Sequence, residues 1–452
     1  MITVFHAYIA RNLLYGGLLA ALAKANVRIV VLVPKQKVEH FTTLFADSHA
    51  EIVGVDIDKI AGTRREVLLV RLSHLLVNAR YPRYKLREKY DERRTLWAGI
   101  EYVCSLAVLN TLGRSRLARR AFRRFAAWYS PDLYTSYIEQ YKPSLVFGTN
   151  VFYMADAQFM RLAHERGIRT LGMVRSWDNC YSKGVLRFIP DTLLVNTHLI
   201  KEECVALHDV PAERIEVIGL PQFDDSFTGV RTSREQFMHS LGVNPAKKLI
   251  VFAPGGAALT DIDWQFCDIL KGAMDTGAIK ERVHILVRNH PIHSADLSRF
   301  EGDERFTIEY PGKGFRNNRK ETELVPDEAK HLADTLASAD VVLWVATTLG
   351  IDAAVFDKPE IVLNFDGYET RPYYHSVRRY HDEDHMKKML ATGGMHVAST
   401  KEELIEWINR YLDDPTLDAA GRKKVVETQI VYTDGKAGER LERTLLAYIV
   451  SL

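Results

Sequence analysis

Short runs of β-branched and aliphatic residues alternate along this chain with longer stretches whose apolar positions recur at helical spacing. The runs ITVFHA (2–7), RIVVLVP (28–34), EIVGVDI (51–57), SLVFGT (144–149), RTLGMV (169–174), DTLLVN (191–196) and RIEVIG (214–219) predict strands. A long helical stretch separates the third from the fourth and ends near residue 140. A second series follows: KLIVFAP (248–254), VHILVRNHP (283–291), FTIEY (306–310), DVVLWVAT (340–347) and EIVLNFD (360–366). Such alternation is the signature of βαβ units, hence of parallel sheets with helices on both faces. Between the two series, GLPQFDDSFTGVRTS at 219–233 has the Pro, Gly and polar content of a linker. From Lys401 onward the pattern is helical and amphipathic and closes on ERLERTLLAYIV. The expected fold is α/β, with two Rossmann-like doubly wound domains at 1–222 and 223–452 facing a cleft. The first carries a helical insertion at about 64–130, and the second ends in a closing helix. Ligands of such sheets bind at the C-terminal ends of the strands.

Composition supports a folded chain: 47% of its 452 residues are hydrophobic and 26% charged, enough for two cores. Cys104, Cys180, Cys204 and Cys267 lack CxxC spacing, which argues against a zinc site or a disulfide framework and fits a reducing cytoplasm. The opening residues lack the basic leader and cleavage site of a signal peptide, and Arg11, Lys24 and Arg28 interrupt their apolar run short of a span. Net charge is only +2, yet sixteen Lys or Arg face five acids between Arg64 and Ser130. Interleaved with Leu, Trp, Tyr and Phe, this segment suits anionic lipid head groups or a polyanionic acceptor; the alternative is a solvated helical face. No nucleic-acid-reading motif accompanies the charge, so nucleic acid is not an expected partner.

Candidate chemistry gathers at predicted strand ends. After DVVLWVA come Thr347, Thr348 and Gly350, with a helix starting near Ile351, and a helix N-terminus flanked by hydroxyls suits a diphosphate. The plainer reading is that a threonine caps the helix. Gly255 and Gly256 would let backbone approach a ligand closely, or simply turn. Arg288 and His290, in the loop after the next strand, offer a guanidinium fork and an imidazole to phosphate, or are surface polars. In the N-terminal half, Arg175 to Gly184 (RSWDNCYSKG) follows a strand directly. There Asp178 suits a general base, Trp177 a stacking surface for a sugar, and Asn179 and Lys183 acceptor contacts; a core tryptophan and a turn aspartate are the alternatives. His6 and Arg11, beyond the first strand, are further acceptor candidates. The triplets Asp261-Ile262-Asp263 and Asp382-Glu383-Asp384 follow no convincing strand and read as surface acids, so no metal is expected.

SWDNCYSKG, IPDTLLVN and ALHDVPAERIEVIGLPQFD, followed by RNHP, SADVVLWVATTLGIDAAVFDKPEIVLNFDG, SVRRY, ATGGMHVAST and DGKAGERL, span about residues 145–450. In order and spacing they resemble bacterial surface-polysaccharide glycosyltransferases of the GT-B type and the CDP-glycerol glycerophosphotransferases. The resemblance implies a donor on the C-terminal domain, with phosphates at Arg288, His290, Thr347, Thr348 and Gly350. Asp352 stands where the family often has Glu and would meet a donor hydroxyl. The glycerophosphotransferases carry Trp-His where this chain has Trp177-Asp178, a departure that favours sugar transfer with Asp178 as base. The first 140 residues match poorly beyond the opening strand and are expected to select the acceptor.

The expectation is therefore a metal-independent, cofactor-free glycosyltransferase acting in cell-surface polysaccharide synthesis (capsule or O-antigen). It would use a nucleotide-activated donor and a saccharide or lipid-linked saccharide acceptor, in the cytoplasm or peripherally at the inner face of the membrane. Asp178 would take the acceptor proton while Arg288, His290 and the helix start stabilise the departing phosphate. The alternatives are transfer of a phosphate-linked unit (glycerol phosphate from CDP-glycerol, or phosphoribosyl), nucleotide-sugar 2-epimerisation, and a non-catalytic sugar-nucleotide-binding module.

Overall fold

The computed structural model describes residues 1–6, 8–14, 17–57, 63–129, 133–229, 231–315, 318–323 and 326–450. Strands β1 (Ile2–Thr3), β2 (Val30–Pro34), β3 (Glu51–Val55), β4 (Leu145–Gly148), β5 (Arg169–Met173), β6 (Thr192–Val195) and β7 (Ile215–Val217) form one parallel sheet in the order β3-β2-β1-β4-β5-β6-β7. A second series comprises β8 (Lys248–Ala253), β9 (Val283–Arg288), β10 (Phe306–Glu309), β11 (Lys313–Phe315), β12 (Asn318–Glu323), β13 (Val341–Trp344), β14 (Glu360–Leu363) and β15 (His396–Ala398). Six of these make a parallel sheet in the order β10-β9-β8-β13-β14-β15, while β11 and β12 pair as an antiparallel hairpin. The central strands are buried along their length apart from Lys248 at the start of β8, as their aliphatic runs require of a sheet covered on both faces. Three strands escape the sequence pattern: β15 is only three residues long, and the β11–β12 hairpin is polar.

Contacts divide the chain into one unit of residues 1–227 with 430–452, and another of 228–429. The break falls within the stretch read as a linker. The closing helix, however, joins the first unit, which corrects its placement at the end of a 223–452 domain. The reason is packing and capping. Leu441 and Leu445 of the helix Ala437–Val450 are buried with Ile2, Val4, Leu18 and Leu22. At its start the Asp224 carboxylate accepts the Ala437 and Gly438 N–H groups at 3.0 and 2.7 Å, which offsets the positive end of the helix.

The insertion of the first unit is four helices, Arg64–Leu75, Arg80–Arg93, Leu96–Thr111 and Arg116–Tyr129. Thr63 and Thr95 cap the first and third by accepting the N–H of Glu66 and Ala98. Arg119 is buried and grips the Asp209 carboxylate in a fork of 2.8 and 2.6 Å, with Arg123 beside it at 3.3 Å. These two arginines anchor the insertion instead of joining an exposed basic face. Arg120 and Arg124, on the same helix, do point outward. So do large apolar side chains: Leu96, Trp97, Leu117 and Trp128 are 80%, 77%, 77% and 79% exposed.

Candidate functional site

In both sheets all strands run parallel, so every loop leaving a strand C-terminus emerges along one edge. The chain reverses its direction of strand addition between β1 and β4 in the first unit and between β8 and β13 in the second. These reversals are the switch points at which doubly wound sheets bind ligands. In the second unit the flanking loops carry Gly255-Gly256 and Thr347-Thr348. His290 follows the next strand over, β9, at two strand spacings or roughly 10 Å from the β13 loop.

The glycine loop is already satisfied. Asp263, expected as a surface acid, is buried, and its two carboxylate oxygens accept the N–H groups of Gly255 and Gly256 at 2.9 and 2.8 Å. Burial pushes its carboxyl up to about 6. Asp261 is exposed and pairs with Arg371 at 2.6 Å. The second triplet is not a surface feature either: Glu383 is buried, and Asp382 accepts the Tyr373 hydroxyl at 2.7 Å and pairs with Lys387 at 2.9 Å. Gly256 has φ +72, and a Cβ there would lie 1.8 Å from the His293 carbonyl oxygen, so the site demands glycine for its own geometry.

Arg288 is likewise committed. It is buried at the end of β9, and its terminal nitrogens pair with Glu309 at 2.8 Å and Glu328 at 2.9 Å. Glu309 in turn binds His331 at 2.7 Å. The side chain expected to grip phosphate ties β9 to its neighbours. Gly350 also has a packing role. A Cβ there would meet Glu360 Oε2, Met389 Cε and Trp344 Cε2, each at 2.9 Å, where Trp344 donates to the buried Glu360 at 2.7 Å.

What faces outward at this edge is a smaller set. His290 Nδ1 accepts the N–H groups of Ile292 and His293, both at 3.1 Å, so the ring proton sits on Nε2. Burial and the neighbouring His293 hold its pKa down at about 4, leaving a neutral donor at pH 7. The Thr347 hydroxyl accepts the Leu349 N–H at 3.2 Å, so it forms a local turn at the start of the helix Leu349–Val355. Thr348 is exposed, and Asp352 is half-buried in the first turn. The SVRRYH segment braces this edge: buried His381 donates from Nε2 to the Val345 carbonyl, and its Nδ1 faces the Asn364 amide at 2.8 Å. A polar cavity of about 610 Å³ opens at the ends of β14 and β15, lined by Asp366, Arg378, Ser399, Thr400 and Lys401 among others. Asp366, Arg378, Ser399 and Thr400 fall within the EIVLNFDG, SVRRY and ATGGMHVAST segments, but the sequence marks none of the lining residues as a site candidate.

In the first unit Asp178 precedes the short helix Asn179–Ser182. Its Oδ1 accepts from Ser176 Oγ at 2.6 Å and Asn179 Nδ2 at 3.2 Å, and its Oδ2 accepts from Ser182 Oγ at 2.6 Å. The carboxylate is half-exposed and fixed in direction. Asn179 is buried and closes this turn, so it does not reach out as an acceptor contact. Trp177 is half-buried and Lys183 exposed. His6 lies after β1 with its ring edge-on to Tyr153 at 6.4 Å. Arg11 falls in the turn Ala10–Leu14, and its side chain lies outside the described residues. Sequence reasoning missed Asp156, which is fully buried at the switch point. It accepts the Thr3 hydroxyl and the Asn150 N–H, and burial raises its pKa to about 7. Among the described residues no group of three His, Cys, Asp or Glu is placed to hold a metal.

Residues 189–447 match the model of the family described as CDP-Glycerol:Poly(glycerophosphate) glycerophosphotransferase. The chain belongs to this glycerophosphotransferase family. The matched segment holds every donor-side residue discussed above and begins after Asp178. No curated protein matches the chain by sequence. Among solved structures it is similar to a putative UDP-N-acetylglucosamine 2-epimerase from Listeria monocytogenes (12% identity, TM-score 0.54, covering 100% of this chain and 96% of that one). It is also similar to S. aureus MnaA with UDP (12%, 0.57, 100% and 97%). A third is the Methanocaldococcus jannaschii UDP-GlcNAc 2-epimerase with UDP-GlcNAc and UDP (14%, 0.53, 99% and 99%). At such identities the likeness shows the fold, the two-domain α/β GT-B architecture. For this glycerophosphotransferase-family member, family and fold together indicate a transferase of sugar or phosphate-linked units.

Proposed function

We propose that the chain transfers a glycosyl unit from a nucleotide-activated donor to an acceptor hydroxyl. The observation that carries this reading is Asp178, a half-exposed carboxylate aimed by three side-chain donors at the C-terminal end of β5. A carboxylate held in a fixed direction at a strand end can take an alcohol proton as the acceptor oxygen attacks the anomeric carbon. The second unit holds the donor: neutral His290 donates from Nε2 to a phosphate oxygen, and Thr348 and the helix start at Leu349 lie across the switch point from the glycine loop. S. aureus MnaA, similar in fold, was solved with UDP, which supports a nucleotide donor here.

The family match favours a second reading, transfer of a phosphate-linked unit such as glycerol phosphate. The leaving group separates the two. Glycosyl transfer breaks the sugar–phosphate bond and frees a nucleoside diphosphate, whereas phosphate-unit transfer breaks the pyrophosphate and frees a monophosphate. Incubation with a panel of nucleoside-diphosphate sugars and CDP-glycerol, with and without saccharide acceptors, reads the nucleotide released. Acceptor-dependent diphosphate supports the first reading, and monophosphate overturns it in favour of the second. Donor conversion without acceptor would overturn both.

The acceptor is proposed to be lipid-linked and met at an anionic membrane surface. Helices Arg64–Leu75, Leu96–Thr111 and Arg116–Tyr129 present Val67, Leu96, Trp97, Val103, Leu117 and Trp128 to solvent. On the same helices or in the turns between them, Arg64, Arg94, Arg114, Arg120 and Arg124 are exposed and form no ion pair among the described residues. Glu101, the acid of the apolar helix, is neutralised by Arg71, Lys89 and Arg93. Exposed apolar side chains and unpaired cations on one group of helices match the boundary between head groups and acyl chains. The stretch Leu96–Arg114, 19 residues, is long and apolar enough to cross a membrane by composition. Packing against its neighbour Arg80–Arg93 and carrying Glu101 favour lying on the surface.

A further inference from the structure

We infer that Arg175 anchors an oxyanion subsite in the first unit, which takes a phosphate or carboxylate group; that the group belongs to the acceptor rests on the transferase reading above. A guanidinium withdrawn from water is costly unless it is paired. Four other deeply placed arginines obey that rule: Arg119 holds Asp209, Arg288 holds Glu309 and Glu328, Arg187 holds Glu66, and Arg422 holds Asp357. Arg175 departs from it. The side chain is half-buried: its Nε is closed off from solvent with no hydrogen-bond partner, and no hydrogen bond or ion pair engages its guanidinium among the described residues. Burial weighs against its charge, and Asp178 offsets this only through space, because the Asp178 oxygens accept Ser176, Asn179 and Ser182.

The unpaired cation lines a pocket. Arg175 shares it with Ile9, Asn12, Leu13, Thr149 and Gln222, beyond the C-terminal ends of β4 and β5 and beside the switch point of the sheet. Apolar walls there keep the local dielectric low, which strengthens any ion pair formed with an entering anion. The enclosed part of the pocket has room for about one water, so only the oxygens of a larger molecule's charged group would enter it, the rest staying at its mouth. The fork of donors on Arg175 fits the paired oxygens of phosphate or carboxylate.

The test is thermal unfolding of the full chain at constant ionic strength, with inorganic phosphate, acetate or chloride, for wild type, Arg175→Met and Arg175→Lys. Phosphate or acetate should raise the wild-type Tm by roughly 3 °C at ten times its Kd, and which of them does so identifies the oxyanion. Arg175→Met should show no such rise and, without ligand, should melt at or above wild type, since a desolvated charge is gone. Arg175→Lys should keep a weakened response, and it carries the comparison if the methionine variant does not fold. A wild type indifferent to both oxyanions relative to chloride would overturn the subsite, as would an Arg175→Met protein that responds like wild type. Failure of nucleotide release alongside an Arg175-dependent anion response would refute the transferase reading and leave the subsite standing. An acceptor KM unchanged in Arg175→Lys would overturn its assignment to the acceptor.

Discussion

The Asp263 carboxylate accepts the backbone N–H of Gly256 at 2.8 Å, which puts a protein anion where a glycine-rich loop would otherwise receive a phosphate. Gly256→Ala meets both a left-handed φ of +72 and a carbonyl oxygen 1.8 Å from the new Cβ. It should therefore destabilise the second unit by more than about 2 kcal/mol in chemical denaturation. A cost within a few tenths of a kcal/mol would mean the loop is free to relax.

Asp263 also gives the loop a pH signature. Its carboxyl titrates at about 6, above the ordinary carboxylate value, so the folded state holds a proton that the unfolded chain has lost. Its contribution is fully present below the unfolded pKa and is lost as pH rises through 6. Between pH 4 and 6 the stability difference between wild type and Asp263→Asn should move in favour of the variant by on the order of 2 kcal/mol. Parallel pH profiles for the two proteins would contradict this.

His290 behaves in the opposite sense. Its folded pKa is depressed to about 4, so its contribution to stability is present above about 6.5 and lost as pH falls toward 4. Because it works as a neutral donor, the pH–rate profile should show no acid limb near 6.5 attributable to it. A limb at that pH which disappears in His290→Asn would show that the imidazolium is the working form.

For Asp178 the general-base and turn-forming roles separate cleanly. Asn keeps the oxygen that accepts Ser176 and loses the basic one, so Asp178→Asn should lower kcat by roughly 10²- to 10⁴-fold with donor affinity unchanged. If Asp178 only shapes its turn, the same variant will lower the Tm and leave kcat near wild type.

The architecture was legible because parallel strands buried on both faces write unbroken aliphatic runs, as in Leu249 to Ala253 and Val341 to Trp344. The individual site residues were less so. Arg288 and Asp263 carry the residue types of a donor site or a surface triplet, but partners distant in sequence decide their roles: Glu309 and Glu328 for the one, the Gly255-Gly256 backbone for the other. A residue string records what a side chain can do and leaves out which neighbour has already engaged it. The tail was misplaced for a related reason: its amphipathic pattern shows that it packs, while the Asp224 cap and the pocket for Leu441 and Leu445 show where.

The basic insertion divides its arginines between two tasks, and mutation should separate them. Arg119 is buried in a fork on Asp209, so Arg119→Ala should cost about 2 kcal/mol of stability through the lost fork and packing, Arg123 still pairing the carboxylate. Arg120 and Arg124 face outward on the same helix, so reversing both to Glu should leave the Tm within a degree or two of wild type. In co-sedimentation with vesicles containing phosphatidylserine, that double variant should lose binding roughly tenfold or more, at about 1 kcal/mol per basic residue near the surface. Trp97→Ala with Trp128→Ala should weaken binding to the same vesicles while keeping its salt dependence, because the indoles contribute apolar insertion and the arginines the field. Binding that neither pair alters, or equal binding to purely zwitterionic vesicles, would return these helices to an ordinary solvated face.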